Sequence, residues 1–280
     1  MSSPSSSDTV SDPGGALRWW LGLPLGLWRG LVRALANGWR VLFIGAQLAV
    51  LAFSPSCYRQ ESGRLVLQHV YRAAGPGLPG FTVLMALFNV VVIRIVVVTA
   101  FAYGLTQYAL DAVVRVLVLE VIPLVAALYV AVEYSIPQGS ELLQLRRSGA
   151  LERLRAQGVD PLSREVLPRV LAGTVAVLLM AAVSCVISLL LAYVAVHGFT
   201  TAGVASYNHA VGTIFDPSVT LIFTLKTGLF ALTVALLPVA GALRVHERRA
   251  SRASVELQGL MHMFVLMLLI EVASLVGNYY

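Results

Sequence analysis

The sequence predicts an all-α integral membrane protein with five transmembrane helices, preceded by a helix that lies at the membrane interface. Hydrophobic residues make up 58% of the 280 residues and charged residues only 12%, against roughly 25% charged residues in soluble domains. Five apolar blocks of about 20 residues or more follow one another, and this is the length that a helix needs to cross the hydrocarbon core of a bilayer.

The N-terminal part differs in kind from the rest. Residues 1–16 are small, polar and rich in Pro and Gly, which predicts a disordered tail. Residues 17–79 hold all four tryptophans, interleaved with arginines, as is typical of segments at the headgroup level. The apolar run 41–53 is too short to span a bilayer, so we expect an interfacial elbow helix. A short, tilted transmembrane helix is the alternative.

Residues 80–280 form the predicted permease domain, with spans at about 80–103, 112–136, 167–196, 218–243 and 256–278. The links after the first and third spans contain no Lys or Arg, whereas the other two links are rich in arginine. Positive charge favours the cytoplasmic side of a membrane. The pattern therefore predicts a cytoplasmic N-terminus and a C-terminus outside, in the periplasm of a bacterial inner membrane.

The link between the second and third spans has its own helical pattern. Leucines recur at helical spacing from Leu142 to Leu154, with Arg and Glu between them, which predicts an amphipathic helix over about 138–158. Gly158 is expected to end it, and Asp160-Pro161 to turn the chain, because a residue before proline is disfavoured in a helix. A short cytoplasmic helix held between two spans is suited to transmit the movement of a soluble partner to the membrane part of the protein.

These residues carry a resemblance to a known family. Gly158-Val159-Asp160-Pro161, followed after six residues by 168–173 (PRVLAG), resembles the signature of MlaE/YrbE permeases, the membrane subunits of ATP-driven, MCE-associated lipid transporters. The similarity extends back to Glu120-Val121-Ile122-Pro123 and forward to 225–230 (LKTGLF) and 241–244 (GALR), over roughly residues 78–278. The resemblance implies a dimeric permease that contacts its ATPase through the coupling helix. The residues expected to carry that contact are Glu141, Leu142, Leu145, Leu151, Glu152, Leu154, Gly158, Asp160 and Pro161.

Three segments depart from the family pattern. The coupling sequence Glu-Gln-Ile-Asp-Ala-Leu of the family is replaced by 149–154 (GALERL), and its Gly-Arg in the second span by Val132-Glu133. A Gly-rich segment before the last span is replaced by 247–252 (ERRASR). These changes leave the predicted fold intact and affect chiefly how the chain meets its ATPase.

Several functional classes are disfavoured by the residues themselves. A phosphate-binding P-loop needs Gly-Lys-Ser/Thr, but the only lysine, Lys226, follows Leu225. The chain is therefore expected to be a non-catalytic transport subunit that binds no cofactor, with ATP and Mg²⁺ used by a separate ATPase subunit. No metal-ligand or nucleophile motif is present, and only Cys57 and Cys185 are cysteines. The net charge of +6 comes from arginines at the ends of apolar blocks, so nucleic acid is not an expected partner.

Charged residues inside spans are costly and often functional. Arg94 and Glu120 lie at similar distances from the ends of the first and second spans, so we predict that they pair inside the membrane; separate backbone or water partners are the alternative. Lys226, which can snorkel toward the outer surface, and Glu133 are candidates for the lipid path. Glu271 has no evident partner in the sequence. Small residues, among them Gly173, Gly228 and Gly241, are expected to allow close helix packing.

The sequence thus predicts a permease subunit that moves lipid, by resemblance a phospholipid, between the inner membrane and a periplasmic MCE carrier. The resemblance implies as partners an ABC ATPase subunit, an MCE-domain protein, a STAS-domain subunit, a second permease copy in a homo- or heterodimer, and phospholipid. One alternative is a degenerate structural half of a heterodimeric permease. Another is a secondary transporter coupled to an ion gradient.

Overall fold

The structure is a computed structural model, and it describes residues 60–244 and 252–279, together with Gly45. The predicted N-terminal tail, the greater part of the predicted interfacial elbow, and most of the Arg-rich link before the last span lie outside the described residues. Within the described part the chain forms α-helices joined by short turns, with no strand.

The helices follow one another in a simple order. The first is α1 (Gln60–Ala74), then α2 (Gly77–Ala102), α3 (Thr106–Val113), α4 (Ile122–Val130), α5 (Ile136–Arg147), α6 (Ala150–Ala156), α7 (Leu167–His197), α8 (Val204–Ile214), α9 (Pro217–Arg244) and α10 (Arg252–Tyr279). Three π-helical segments, Val114–Val121, Ala131–Ser135 and Leu162–Val166, connect α3 to α4, α4 to α5 and the turn after α6 to α7.

Five helical stretches in the described residues are long and apolar enough to cross a membrane. They are Arg64–Ala102, Tyr108–Arg147, Leu162–His197, Pro217–Leu243 and Gly259–Gly277. Their number and order confirm the predicted all-α membrane fold with five spans. The first stretch begins well before the predicted start at residue 80, because α1 leads into α2 through the two-residue turn Gly75-Pro76.

Two helices form the centre of the bundle. Helix α7 packs against α1, α2, α4 and α9, and α9 packs in addition against α5 and α10. Their buried faces are rich in small side chains, such as Ala172 and Ala176 on α7 and Ala231 and Ala235 on α9. Small residues let helix backbones approach closely, and this close packing supplies the attraction that the hydrophobic effect cannot supply within lipid.

The glycines contribute to this packing unequally. A Cβ atom on Gly173 would lie 3.4 Å from the Cβ atom of Ala235, so Gly173 does lie at a close contact between α7 and α9. Among the described residues, nothing lies within 4 Å of the place that a Cβ atom would take on Gly228 or Gly241, so these two glycines do not serve close packing inside the described bundle. A closer approach between the two helices α5 and α9 involves Gly139, where a Cβ atom would lie 2.9 Å from the Cβ atom of Pro238, and sequence reasoning missed it.

The bundle has two ends, which we name by the short helices that lie there. The α6 end holds α6 and the turn from 157 to 161, and the α8 end holds α8 and the links that flank it. At the α8 end, Tyr207 donates a hydrogen bond to the carbonyl of Leu189 at 2.7 Å, and its ring meets that of Tyr193 edge-on at 5.1 Å. Burial raises the pKa of the Tyr207 hydroxyl. These contacts fix α8 against the end of α7.

Candidate functional site

Three ionisable side chains from three different spans meet inside the bundle; we call Glu120, Lys226 and Glu271 the buried ion cluster. The side chain of Lys226 on α9 is only 2% exposed. Its Nζ atom donates a hydrogen bond to a carboxylate oxygen of Glu120 and another to the carbonyl of Leu119 at 3.3 Å. The ring of Phe230 lies one turn further along α9, with its centre 5.9 Å from Nζ.

The third member of the cluster comes from the last span. Glu271 Oε2 lies 3.0 Å from Lys226 Nζ, so these two side chains form an ion pair. Glu120 and Glu271 are themselves largely buried, with side chains 12% and 14% exposed. The cluster therefore holds two carboxyl groups around one ammonium group.

Local structure explains why these residues meet. Lys226 lies about nine residues from the start of α9, and Glu271 about eight residues from the end of α10. At about 1.5 Å per residue, both are roughly 12–14 Å from the α8 end of their helices, so they occupy the same depth. Glu120 is carried by the first π segment, Val114–Val121, a widened helical turn of a type that occurs frequently at functional sites.

The structure does not form the predicted pair between Arg94 and Glu120. Glu120 contacts Lys226 instead, and Arg94 is exposed on α2 without an ion pair among the described residues. The prediction compared only the depths of Arg94 and Glu120 in their spans and ignored the directions of their side chains. Arg94 follows Ile93, which lies on the buried face of α2, and that face packs mainly against α7 and α3 rather than against the segment of Glu120.

Two other expectations for charged residues also change. Lys226 does not snorkel, since its ammonium group is held inside the bundle by the cluster. Glu271, which had no evident partner in the sequence, has one in Lys226. Glu133 is exposed on the second π segment, Ala131–Ser135, and remains a candidate for the lipid path.

The predicted coupling helix over 138–158 is divided in the structure. Helix α5 ends at Arg147 and α6 begins at Ala150, because Gly149 adopts a left-handed conformation with φ 72°, which glycine tolerates at no steric cost. The amides of Ser148 and Gly149 bond back to the carbonyls of Gln144 and Arg146. We call residues 136–161 the coupling segment.

The predicted ATPase-contacting residues fall into two groups. Glu141, Glu152, Gly158 and Asp160 are exposed, and Leu145, Leu151 and Leu154 are half-buried. Leu142 is fully buried and Pro161 is buried as well. These last two residues anchor the segment in the bundle and are inaccessible to a partner, because a helix at the membrane surface must also bury one side against its own protein.

The turn after α6 forms as the sequence predicts. Gly158 has φ 76°, and its amide and that of Val159 bond to the carbonyls of Arg155 and Leu154, which is the Schellman arrangement that closes a helix C-terminus. Asp160 then accepts hydrogen bonds from the amides of Leu162 and Ser163, both at 3.2 Å. The Gly-Val-Asp-Pro sequence thus ends one helix and caps the next.

Replacing Asp160 with alanine is expected to lower the stability of the protein by about 1 kcal/mol, the usual effect of losing a helix cap. The measurement is the midpoint of thermal unfolding in detergent, followed by circular dichroism. Asp216 provides the matched control, because it also precedes a proline at the start of a helix but its side chain makes no hydrogen bond among the described residues. Equal midpoints for the two alanine variants would contradict the capping role of Asp160.

Arg169 of the Pro-Arg motif is buried at the α6 end. Its Nε atom donates to Gln138 Oε1 at 2.9 Å, and its Nη1 atom lies 2.6 Å from Glu165 Oε2. Nearby, the hydroxyl of Tyr134 lies 3.3 Å from His69 Nδ1. These contacts join α1 to the second π segment, and α5 to α7, at the same end of the bundle as the coupling segment.

A model of the family described as Permease MlaE matches residues 66–276. The chain belongs to the MlaE permease family. The match runs from α1 to α10 and covers nearly all of the five candidate spans, together with the buried ion cluster and the coupling segment. A comparison with curated proteins found no match.

Membership in the MlaE family fixes the general role. The protein is a multi-pass transmembrane permease of a lipid-transporter family, a transport subunit rather than a catalyst. The MlaE family also implies partnership within an ABC transporter in general terms. Among the described residues, the buried ion cluster stands out from the apolar bundle by its buried charge, and the coupling segment by its exposed helix α6.

Proposed function

We propose that this chain is the permease subunit of an ATP-driven transporter that moves phospholipid between the bacterial inner membrane and a periplasmic MCE carrier. The observation that carries the proposal is the coupling segment, in which α6 has no buried residue and the residues on both sides of it are anchored in the bundle. Leu142 holds it before the α5–α6 break and Pro161 holds it after the turn. A force applied to exposed α6 would therefore reach the spans instead of being absorbed by a flexible loop.

The distribution of charge supports an orientation with the α6 end in the cytoplasm. Residues 137–169 include six arginines, whereas residues 197–215 at the α8 end contain no Lys, Arg, Asp or Glu. Positive residues in short loops favour the cytoplasmic side. The coupling segment would then face the compartment that contains ATP, and α8 would face the periplasmic carrier.

The lipid path is proposed to lie between two permease copies, as the MlaE family resemblance implies. Helices α2 and α10 expose long apolar faces, which include Phe88 and Ile95 on α2 and Phe264 and Leu268 on α10. Exposed Glu133 is available to a lipid headgroup. Lys226 would become available only if the buried ion cluster opened, because both its carboxylate partners surround it in this conformation.

The proposal is tested by purifying the tagged chain in mild detergent and identifying all co-purified proteins and lipids by mass spectrometry. We expect an ABC ATPase, an MCE-domain protein and retained phospholipid, with a STAS-domain subunit as a further component. A second, similar permease in the preparation would identify a heterodimer in which this chain is one half. A chain that purifies alone, without ATPase or phospholipid, would contradict the proposal.

A further inference from the structure

The end of α9 is held by an arginine from the coupling segment. Arg146 lies in the last turn of α5, directly before the break that leads to α6. Its Nη1 atom donates hydrogen bonds to the carbonyl of Ala242 at 3.3 Å and to that of Leu243. Hydrogen bonds from a charged donor are stronger than those between neutral groups. Arg146 thus joins α5 to the last described turn of α9 through two charge-assisted bonds, which we call the Arg146 cap.

A second contact joins the same two helices. Gly139 lies seven residues, about two helical turns, before Arg146 and so on the same face of α5. A Cβ atom on Gly139 would lie 2.9 Å from the Cβ atom of Pro238 and 3.0 Å from the Pro238 carbonyl oxygen. The backbones of α5 and α9 are thus in direct contact at this point. Helix α5 holds α9 both at Pro238 and at its last turn.

Pro238 lies inside α9, with a long part of the helix before it and a short part after it. A proline within a helix lacks the amide that would bond to the carbonyl four residues earlier, which here belongs to Val234. Sharp bends in helices occur at such positions. The short part, 239–244, is the part that Arg146 holds. The long part carries Lys226 and, through it, the buried ion cluster.

We propose that Arg146 is the positioning residue that transmits movement of α6 to the end of α9, and that α9 bends at Pro238 in response. This inference rests on the proposed function, because it takes the movement of α6 to come from a docked ATPase. The bend changes the position of the long part of α9 relative to α5. Since Lys226 lies on that part, the movement reaches the contacts of Glu120 and Glu271.

The test compares Arg146→Gln with Arg146→Lys and with Arg164→Gln. Glutamine removes the positive charge that binds the carbonyls of α9, whereas lysine retains it. Arg164→Gln is the control, because Arg164 is exposed at the α6 end and makes no ion pair among the described residues. The complex is purified through a tag on this chain and reconstituted with NBD-labelled phosphatidylethanolamine. The readouts are the number of lipids transferred per ATP hydrolysed, and hydrogen–deuterium exchange of the last turn of α9.

We expect Arg146→Gln to assemble and to hydrolyse ATP, but to transfer about tenfold fewer lipids per ATP, in line with the loss of a hydrogen bond to a charged group. Amide exchange at 241–244 should become faster. Arg146→Lys and Arg164→Gln should transfer as many lipids per ATP hydrolysed as the unmodified protein. If the Arg146 cap served stability alone, Arg146→Gln would change the amide exchange and the yield of purified protein, but not the number of lipids transferred per ATP hydrolysed.

Pro238→Ala supplies a second variant that is expected to fold, since alanine restores the helical hydrogen bond. It should also lower the number of lipids per ATP, because a continuous α9 resists bending. An unchanged ratio in Arg146→Gln or in Pro238→Ala would overturn the inference. Absence of ATP-dependent transfer in the unmodified complex would overturn the proposed function itself, which separates the two failures.

Discussion

Replacing Lys226 with methionine is expected to destabilise the protein by about 3–5 kcal/mol, the usual effect of removing one partner from a buried ion pair. Methionine keeps an unbranched apolar side chain but removes the ammonium group between Glu120 and Glu271. The two carboxylates would then face each other inside the bundle with no cation. The measurement is the midpoint of thermal unfolding in detergent, together with the monodisperse fraction in gel filtration.

Two further variants make this prediction specific. Arg94→Met removes a cation from an exposed position in a span and should change the midpoint little. A triple variant that combines Lys226→Met with Glu120→Gln and Glu271→Gln removes every charge of the cluster. It should recover most of the lost stability, because neutral groups can replace a buried ion cluster without a large loss. A midpoint for Lys226→Met equal to that of Arg94→Met would contradict the structural role of the cluster.

Replacing Gly139 with alanine is expected to destabilise the protein by about 1–3 kcal/mol, the typical effect of overpacking. The new Cβ atom would overlap Pro238, whose ring and backbone cannot move aside as a flexible side chain would. Helices α5 and α9 must then separate, and the cap from Arg146 is weakened with them. Helix propensity alone would predict the opposite change, since alanine stabilises a helix interior by about 1 kcal/mol relative to glycine.

Gly228 is the matched control for this substitution. It also lies within a helix that spans the bundle, but it has open space where a Cβ atom would be. Gly228→Ala should leave the unfolding midpoint unchanged or raise it. If Gly139→Ala behaved in the same way, the close contact between α5 and α9 would not exist in solution.

The spans could be predicted from the sequence because length and apolarity decide whether a helix crosses a bilayer. The turn at Gly158 and Asp160 was equally predictable, since it depends on local hydrogen bonds between near neighbours in sequence. The division of the coupling helix at Gly149 was less evident, because an isolated glycine within a helical pattern is tolerated at a cost and does not always end the helix.

The partners of buried charges could not be predicted from the length and apolarity of the spans, since they depend on which faces of the helices meet. Arg94 and Glu120 were matched by depth alone, and depth does not specify direction. A usable signal did exist for the true cluster. Lys226 and Glu271 lie at nearly equal distances from the α8 ends of consecutive spans, and antiparallel neighbours in sequence are usually neighbours in space.

The contact between Gly139 and Pro238 gave no sequence signal at all. Each residue is ordinary in its own helix, and only the packing of α5 against α9 brings the two backbones together. The cap from Arg146 is similar, because a basic residue between two membrane spans is expected on grounds of topology alone. Its bonds to the end of α9 follow from tertiary structure.

The most direct test of the account is the dependence of lipid transfer on ATP hydrolysis. The complex that co-purifies with this chain would be reconstituted with NBD-labelled phosphatidylethanolamine, and transfer of the label to the co-purified MCE-domain protein would be followed by fluorescence. We predict that ATP increases the rate of transfer and that a non-hydrolysable ATP analogue does not. Equal rates with and without ATP, or rates that follow a proton or sodium gradient, would contradict the account.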